Sequence, residues 1–377
     1  MPVRTLPVCE TTAHRIGFAD GTAEAGAGLP TALAAAVVLV SVLLAGCGPR
    51  YVVVERSPQA YYQTGFPVQD ASRELERIQA SIERIHFTAE YRTYVFTKEA
   101  AVTAADDLLS PEILGRAVET LTETESKAGS ATVVARAPRG VALLTNHHVV
   151  HYPTHQVQYF DERPEGRRRQ PDTRRVASIS IRTRERGALA DHPELGAFSV
   201  MSRDTVNDLA LIEVRLPQTV PTTGFAVMPA PLGDPTRLSW GSFVYVFGYP
   251  RGYAMLTFGI VSDPNRDRRG SFLTNGLWNE GISGGAILAI RGSTGRLEWV
   301  GIARGGAGMP ELRIEPRAGV SIDETDVPFL YQGPFFVNSI MRIQYGIAFS
   351  VAMPLIRTFV SRNEPMLRSR GYDLRQY

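Results

Sequence analysis

Beyond Lys127 the sequence breaks into short apolar runs separated by turn residues, and this punctuation constrains the fold more than any other feature. "SATVVARAPRGVALLTN", "DLALIEV", "SFVYVFGYP", "MLTFGIVS", "GAILAI", "LEWVGIA" and "YGIAFSV" follow one another with Gly, Pro, Asn or Asp between them. Such runs, rich in β-branched and aromatic side chains, are too short for globular helices and suit strands. Many of them at close spacing predict an all-β sandwich or barrel. Neither a fixed-period repeat nor a low-complexity tract interrupts the pattern. Two polar stretches do. One, about 156–200, contains "EGRRRQPDTRR" and reads as a solvated insertion. The other, about 307–340, is rich in proline, contains the acidic "DETD" and reads as a second long loop.

The segment before Lys127 has a different texture. Leu75, Ile78, Ile82 and Ile85 form one stripe at helical spacing, which predicts a helix over 70–86. "EYRTYVF" reads as a short strand after it. Ser110-Pro111-Glu112 carries a cap residue and a first-turn proline, so a second helix is expected to start there. Further upstream, no charged residue occurs from Ala25 to Pro49, and the apolar run ends at Leu44-Ala45-Gly46-Cys47. A run ending in small residues is a targeting signal. This one resembles the bacterial lipoprotein signal, which implies lipidation at Cys47, removal of 1–46 and a membrane-anchored position at the bacterial cell envelope. A short uncleaved anchor is the alternative. The chain has two cysteines, Cys9 and Cys47, so no disulfide framework is expected. Its formal charge of +2 is too small to suggest nucleic acid as a partner.

Four of the seven histidines lie within "TNHHVVHYPTH": His147, His148, His151 and His155. The spacing of four invites a metal site. The helical metalloprotease motif, however, needs a glutamate after its first histidine. Here that place is His148, and Pro153 would break a helix that paired His151 with His155. No metal site and no cofactor is therefore expected. A nucleophile reading is more productive. "NEGISGGAI" contains Gly281-Ile282-Ser283-Gly284-Gly285. G-x-S-x-G alone fits two unrelated hydrolase classes. In α/β-hydrolases the histidine follows the serine. No histidine follows Ser283, so the order His, Asp, Ser remains. Asp208 stands immediately before the apolar run "LALIEV", where a buried carboxylate could face an imidazole. Asp204 and Asp191 are alternatives without such a strand directly after them.

Three separated pieces, "LLTNHHVV", "NDLALI" and "EGISGGA", together resemble the trypsin-like serine peptidases, most closely the bacterial HtrA (Deg) type. "GSATVVA", "VFGYPRGY…TFGIVS", "WVGIARGG" and "YGIAFSVAMP" resemble neighbouring strands of that family. The resemblance covers roughly 129–362. It implies two antiparallel six-stranded β-barrels, with a small helical extension ahead of them. The expected organisation is a signal at 1–46, a tether and helical extension at 47–105, a first barrel at 106–225, a second at 226–362 and a tail at 363–377. Since only that tail follows "AMPLIRTFV", no PDZ domain is expected.

The resemblance further implies a serine endopeptidase acting on protein or peptide substrates. His148 would be the base, Asp208 its orienting carboxylate and Ser283 the nucleophile. The Gly281 and Ser283 backbone N–H groups would form the oxyanion hole. Arg304, Gly305 and Gly306 would lie along the substrate, and Leu277, six positions before the serine, would form the base of an apolar primary pocket hostile to Lys and Arg. Ile282 departs from the family, which usually has Asn or Asp there. A catalytically silent binding lipoprotein of the same fold is the main alternative, and an esterase on small acyl substrates a lesser one.

Overall fold

A computed structural model describes residues 60–67, 70–160, 173–316 and 335–374. Cys47, the apolar run before it and most of the arginine-rich loop lie outside the described residues. Pro58–Tyr377 forms one compact unit. Its elements run α1 (Ser72–Gln79), β1 (Ile82–Val95), α2 (Pro111–Leu114), β2 (Glu119–Ala137), β3 (Gly140–Thr145), β4 (His155–Tyr159), β5 (Val176–Leu189), β6 (Ala197–Asp204), β7 (Leu209–Arg215), β8 (Phe243–Gly248), β9 (Met255–Asp263), β10 (Leu273–Thr274), β11 (Ala286–Ile290), β12 (Leu297–Pro316), β13 (Phe335–Ala352) and α3 (Met353–Ser369).

The strands form two closed antiparallel six-stranded barrels. The first runs β1-β2-β3-β7-β6-β5 and closes through β1–β5, with β4 added beside β6 on the outer edge of β5. The second runs β10-β13-β12-β11-β8-β9. Burial shows why "VALLT" and "LALIE" are continuous apolar runs rather than alternating ones. In β3, Leu143 faces the interior of the first barrel while Leu144 faces a second core shared with its neighbour. In β7, Ile212 and Leu211 divide in the same way. Successive strand residues point to opposite faces, and here both faces are dry. In the second barrel, Ile287 and Ala289 of β11 look inward, while Leu288 and Ile290 join the shared core. That shared core also takes Phe247, Trp299 and, from α3, Ile356, Phe359 and Val360.

Four expectations change. The predicted helix over 70–86 ends at Gln79, and Ile82 and Ile85 belong to β1. Residues 85–93 bury every second side chain, so β1 is a strand of the first barrel and not part of an extension before it. The supposed insertion at 156–200 supplies most of β4, all of β5 and the first half of β6. Both described ends of the supposed loop at 307–340 are strand: residues 307–316 of β12 pair with 335–344 of β13 as an antiparallel ribbon, and 317–334, with the acidic "DETD", lie outside the described residues. The tail is helical as far as Ser369, and Leu367, Tyr372 and Leu374 are buried. The second helix does start at Pro111, with the Ser110 hydroxyl accepting from the Ile113 N–H. Among the described residues, no helix is long and apolar enough to cross a membrane.

Candidate active site

His148 lies in a short helical turn, His147–Val150, just after β3. Val149 and Val150 anchor this turn in the first barrel's core, which leaves the His148 ring at the surface with 46 % of its side chain exposed. Asp208 sits in the turn that enters β7 and adopts φ 57°, a left-handed conformation that Asp tolerates better than most residues. The Asn146 side-chain amide donates to its carbonyl oxygen at 2.9 Å and fixes that turn. The buried Asp208 carboxylate then grips His148 twice. Oδ1 accepts the His148 backbone N–H at 3.0 Å, and Oδ2 faces Nδ1 at 2.8 Å. An ionised carboxylate can only accept, so Nδ1 carries the proton and Nε2 is left as an acceptor. Burial pushes the Asp208 carboxyl up, but the His148 hydrogen bonds and charge, together with Arg304, outweigh it and hold the carboxyl below the usual aspartate value.

The alternative aspartates are occupied elsewhere. Asp204 caps the turn ahead of Asp208 by accepting from the Val206 and Asn207 N–H groups. Asp191 pairs with Arg84.

Ser283 approaches from the second barrel on the turn before β11. Gly281 has φ 97° and Gly284 φ 87°, conformations open to glycine. Space is also short. A Cβ on Gly284 would lie 2.0 Å from the Ser130 carbonyl oxygen, and one on Gly281 would lie 2.4 Å from that of Tyr249. Within the turn the N–H groups of Ile282, Gly284 and Gly285 all have backbone partners. Those of Gly281 and Ser283 have none among the described residues, so two backbone donors of this turn are unpartnered. Ser130 of β2 docks this turn onto the first barrel. Its N–H donates to the Ser283 carbonyl (2.8 Å), and its hydroxyl donates to the Gly281 carbonyl (2.8 Å) and accepts from the Tyr249 N–H (2.8 Å). Nothing in the sequence marks Ser130, because its role comes from an inter-barrel contact.

The structure brings Asp208 and His148 together, but it joins Ser283 to Arg304. The Ser283 hydroxyl donates to the Arg304 carbonyl oxygen at 3.0 Å, and no hydrogen bond links it to His148. An open cleft of about 500 Å³ holds His148, Asp208, Arg304, Gly305 and Gly306, together with His147, Thr205 and Phe349. Arg304 does not extend along the cleft as a free charge. Its Nε donates to Asp208 Oδ2 at 3.1 Å. Leu277, the expected base of an apolar primary pocket, is 67 % exposed and does not line this cleft, while Trp278 beside it is buried in the second barrel's core.

His147 and His151 stack at 4.6 Å, and burial lowers the pKa of both. His155 is exposed on β4. Among the described residues, no three His, Cys, Asp or Glu side chains are grouped as metal ligands.

Residues 129–302 match the family model described as a trypsin-like peptidase domain. No curated protein sequence matches the chain. Among solved structures, the chain is similar to the HtrA-type protease AlgW with a tripeptide, at 17 % identity and a TM-score of 0.39, covering 78 % of this chain and 64 % of that one. A variant of AlgW with a decapeptide is similar at 16 % identity and a TM-score of 0.40, with coverages of 79 % and 67 %. The serine endoprotease from Yersinia pestis is similar at 16 % and 0.37, again with 79 % and 67 %. The chain thus spans about two thirds of the length of each.

Proposed function

We propose that this chain, with its trypsin-like peptidase domain over 129–302, is a serine endopeptidase working through His148, Asp208 and Ser283. The observation that carries the reading is the double grip of buried Asp208 on His148, in a cleft lined by Arg304, whose carbonyl oxygen accepts the Ser283 hydroxyl. A serine hydroxyl is a weak nucleophile until a base takes its proton. His148 Nε2 is free to do so once Ser283 turns away from the Arg304 carbonyl, a side-chain rotation of the ps–ns kind. The Ser283 oxygen then attacks the substrate carbonyl. The Gly281 and Ser283 N–H groups face the developing oxyanion, and the imidazolium returns its proton to the leaving amine. The acyl-enzyme is hydrolysed by water through the same steps. Protein or peptide is the proposed substrate. Membrane attachment belongs to the same proposal, rests on Leu44–Cys47, and fails if the mature protein keeps an uncleaved, unlipidated N-terminus.

The link from Ser283 to Arg304 favours a second reading, a silent binding module of the same fold. A fluorophosphonate probe and an unstructured protein substrate separate the two. The active enzyme is labelled at Ser283 and cleaves the substrate. Ser283→Ala and His148→Ala each reduce cleavage by roughly 10⁴-fold or more, with unchanged circular dichroism. An unlabelled Ser283 in a folded protein without turnover would leave the binding module.

A further inference from the structure

Asp208 Oδ2 accepts two hydrogen bonds, one from His148 Nδ1 at 2.8 Å and one from Arg304 Nε at 3.1 Å. A guanidinium is cationic at every relevant pH, and this one touches the oxygen that would steady a positive charge on the histidine. The residue reaches the other end of the site as well, since its carbonyl oxygen holds the Ser283 hydroxyl. Arg304 is half exposed, and among the described residues Asp208 is its acidic partner. The geometry points to Arg304 as a positioning residue of the proposed peptidase site: by sharing Asp208 with His148, it sets how acidic the medium can become before turnover stops. The inference rests on the functional reading above.

Several cationic groups surround the His148 turn, with Glu125 beside Lys127 and Glu185 3.7 Å from Arg203 as their acidic neighbours. Arg304 comes from β12. Lys127 of β2 donates its ammonium to the His148 and His151 carbonyls at 3.1 and 2.8 Å. Arg203 of β6 reaches the Val150 carbonyl, and His147 and His151 stack in and beside the same turn. Glu280 on the serine loop is exposed and faces Arg251 at 3.6 Å. Asp208 is therefore the carboxylate that meets the ring, and Arg304 is the cation that meets that carboxylate. Each positive charge added to Asp208 lessens what the carboxylate can offer a protonated imidazole. Such sharing has two consequences of opposite sign. Turnover persists further into acid than an unshared Asp208 would allow. The imidazolium formed during reaction is held less well, so the plateau rate at neutral pH is lower than an unshared Asp208 would give.

Arg304→Gln removes the charge and keeps a donor of similar reach. With an unstructured peptide substrate, its acid limb of kcat/KM should move up by about one pH unit, and its plateau should rise by a few fold, the size expected of one nearby charge in a half-exposed setting. Arg304→Lys keeps the charge and should keep the limb at the parent position. The result that overturns the proposal is an Arg304→Gln limb that coincides with the parent's, including the case in which activity falls equally at every pH, which is the mark of a merely structural contact. If the parent shows no turnover, the functional reading fails on its own. The same three proteins are then compared by histidine NMR, where an unchanged His148 titration midpoint in Arg304→Gln overturns the sharing of Asp208. If Arg304→Gln does not fold, Arg304→Lys and Arg304→Met are compared in the same two measurements.

Discussion

Asp208 carries the buried charge around which the cleft is organised, and it was legible because an aspartate directly before an apolar strand has few other reasons to be there. His148 and Ser283 were legible for a related reason. Each stands between residues that must be buried or must be glycine, and such neighbours leave a signature. Leu277 and Arg304 show where that logic stops. Their side-chain directions are set by loop register and by a partner on the other barrel, and neither is written locally in the sequence. Gly281 tests the free donors. In Gly281→Ala the new methyl meets the Tyr249 carbonyl, and the turn must leave φ 97°. Activity should fall by about 10²-fold or more, in line with the loss of one oxyanion donor. The fluorophosphonate rate checks it and should collapse; the thermal midpoint falls as well, because the methyl meets backbone, and unchanged circular dichroism shows that the variant still folds.

β1 shows how a short periodic signal can mislead. Ile78, Ile82 and Ile85 fit a helical stripe, yet Ile85, Phe87, Ala89, Tyr91 and Thr93 alternate with exposed or half-buried neighbours. The longer, two-residue period is the one that closes the barrel. The ribbon of β12 and β13 was hidden for a different reason. Among its described side chains most of the apolar ones stand in solvent rather than in a core, so they do not mark a buried strand. Met309, Leu312, Ile314 and Met341 are all more than 60 % exposed. The ribbon still touches the site at one point, where the Tyr345 hydroxyl donates to the Asn279 side-chain oxygen at 3.0 Å, two residues before Gly281. Replacing the exposed Leu312, Ile314 and Met341 by serine should leave the thermal midpoint within about 3 °C of the parent, because these side chains are already more than 60 % exposed. Calorimetry checks this, and a large fall would place the ribbon in the folding core.

Two barrel interiors and a shared core between them hold the chain, and one buried acid disturbs that arrangement. Glu83 of β1 is 8 % exposed, and the imidazole of His192, charged only when protonated, lies 3.9 Å away. Burial raises its pKa from 4.5 to about 7, a shift that His192 opposes and Asp191 reinforces. A carboxyl raised on folding stabilises the native state fully below its unfolded pKa. That advantage is lost as pH climbs from about 4.5 through about 7. Glu83→Gln should therefore match the parent at pH 4.5 and exceed it at pH 8, by up to about 3 kcal/mol. Denaturant melts at the two pH values check the sign. An advantage confined to the acid side would contradict it.

The shared core also fixes an order in time. His148 and Asp208 sit on the first barrel, Ser283 on the second, and β13 and α3 are needed to close the second barrel and fill the space between the two. During synthesis the proposed nucleophile can therefore be set against its proposed base only after residues beyond 352 have left the ribosome. A nascent chain of this design carries all three side chains before the barrels that hold them are complete.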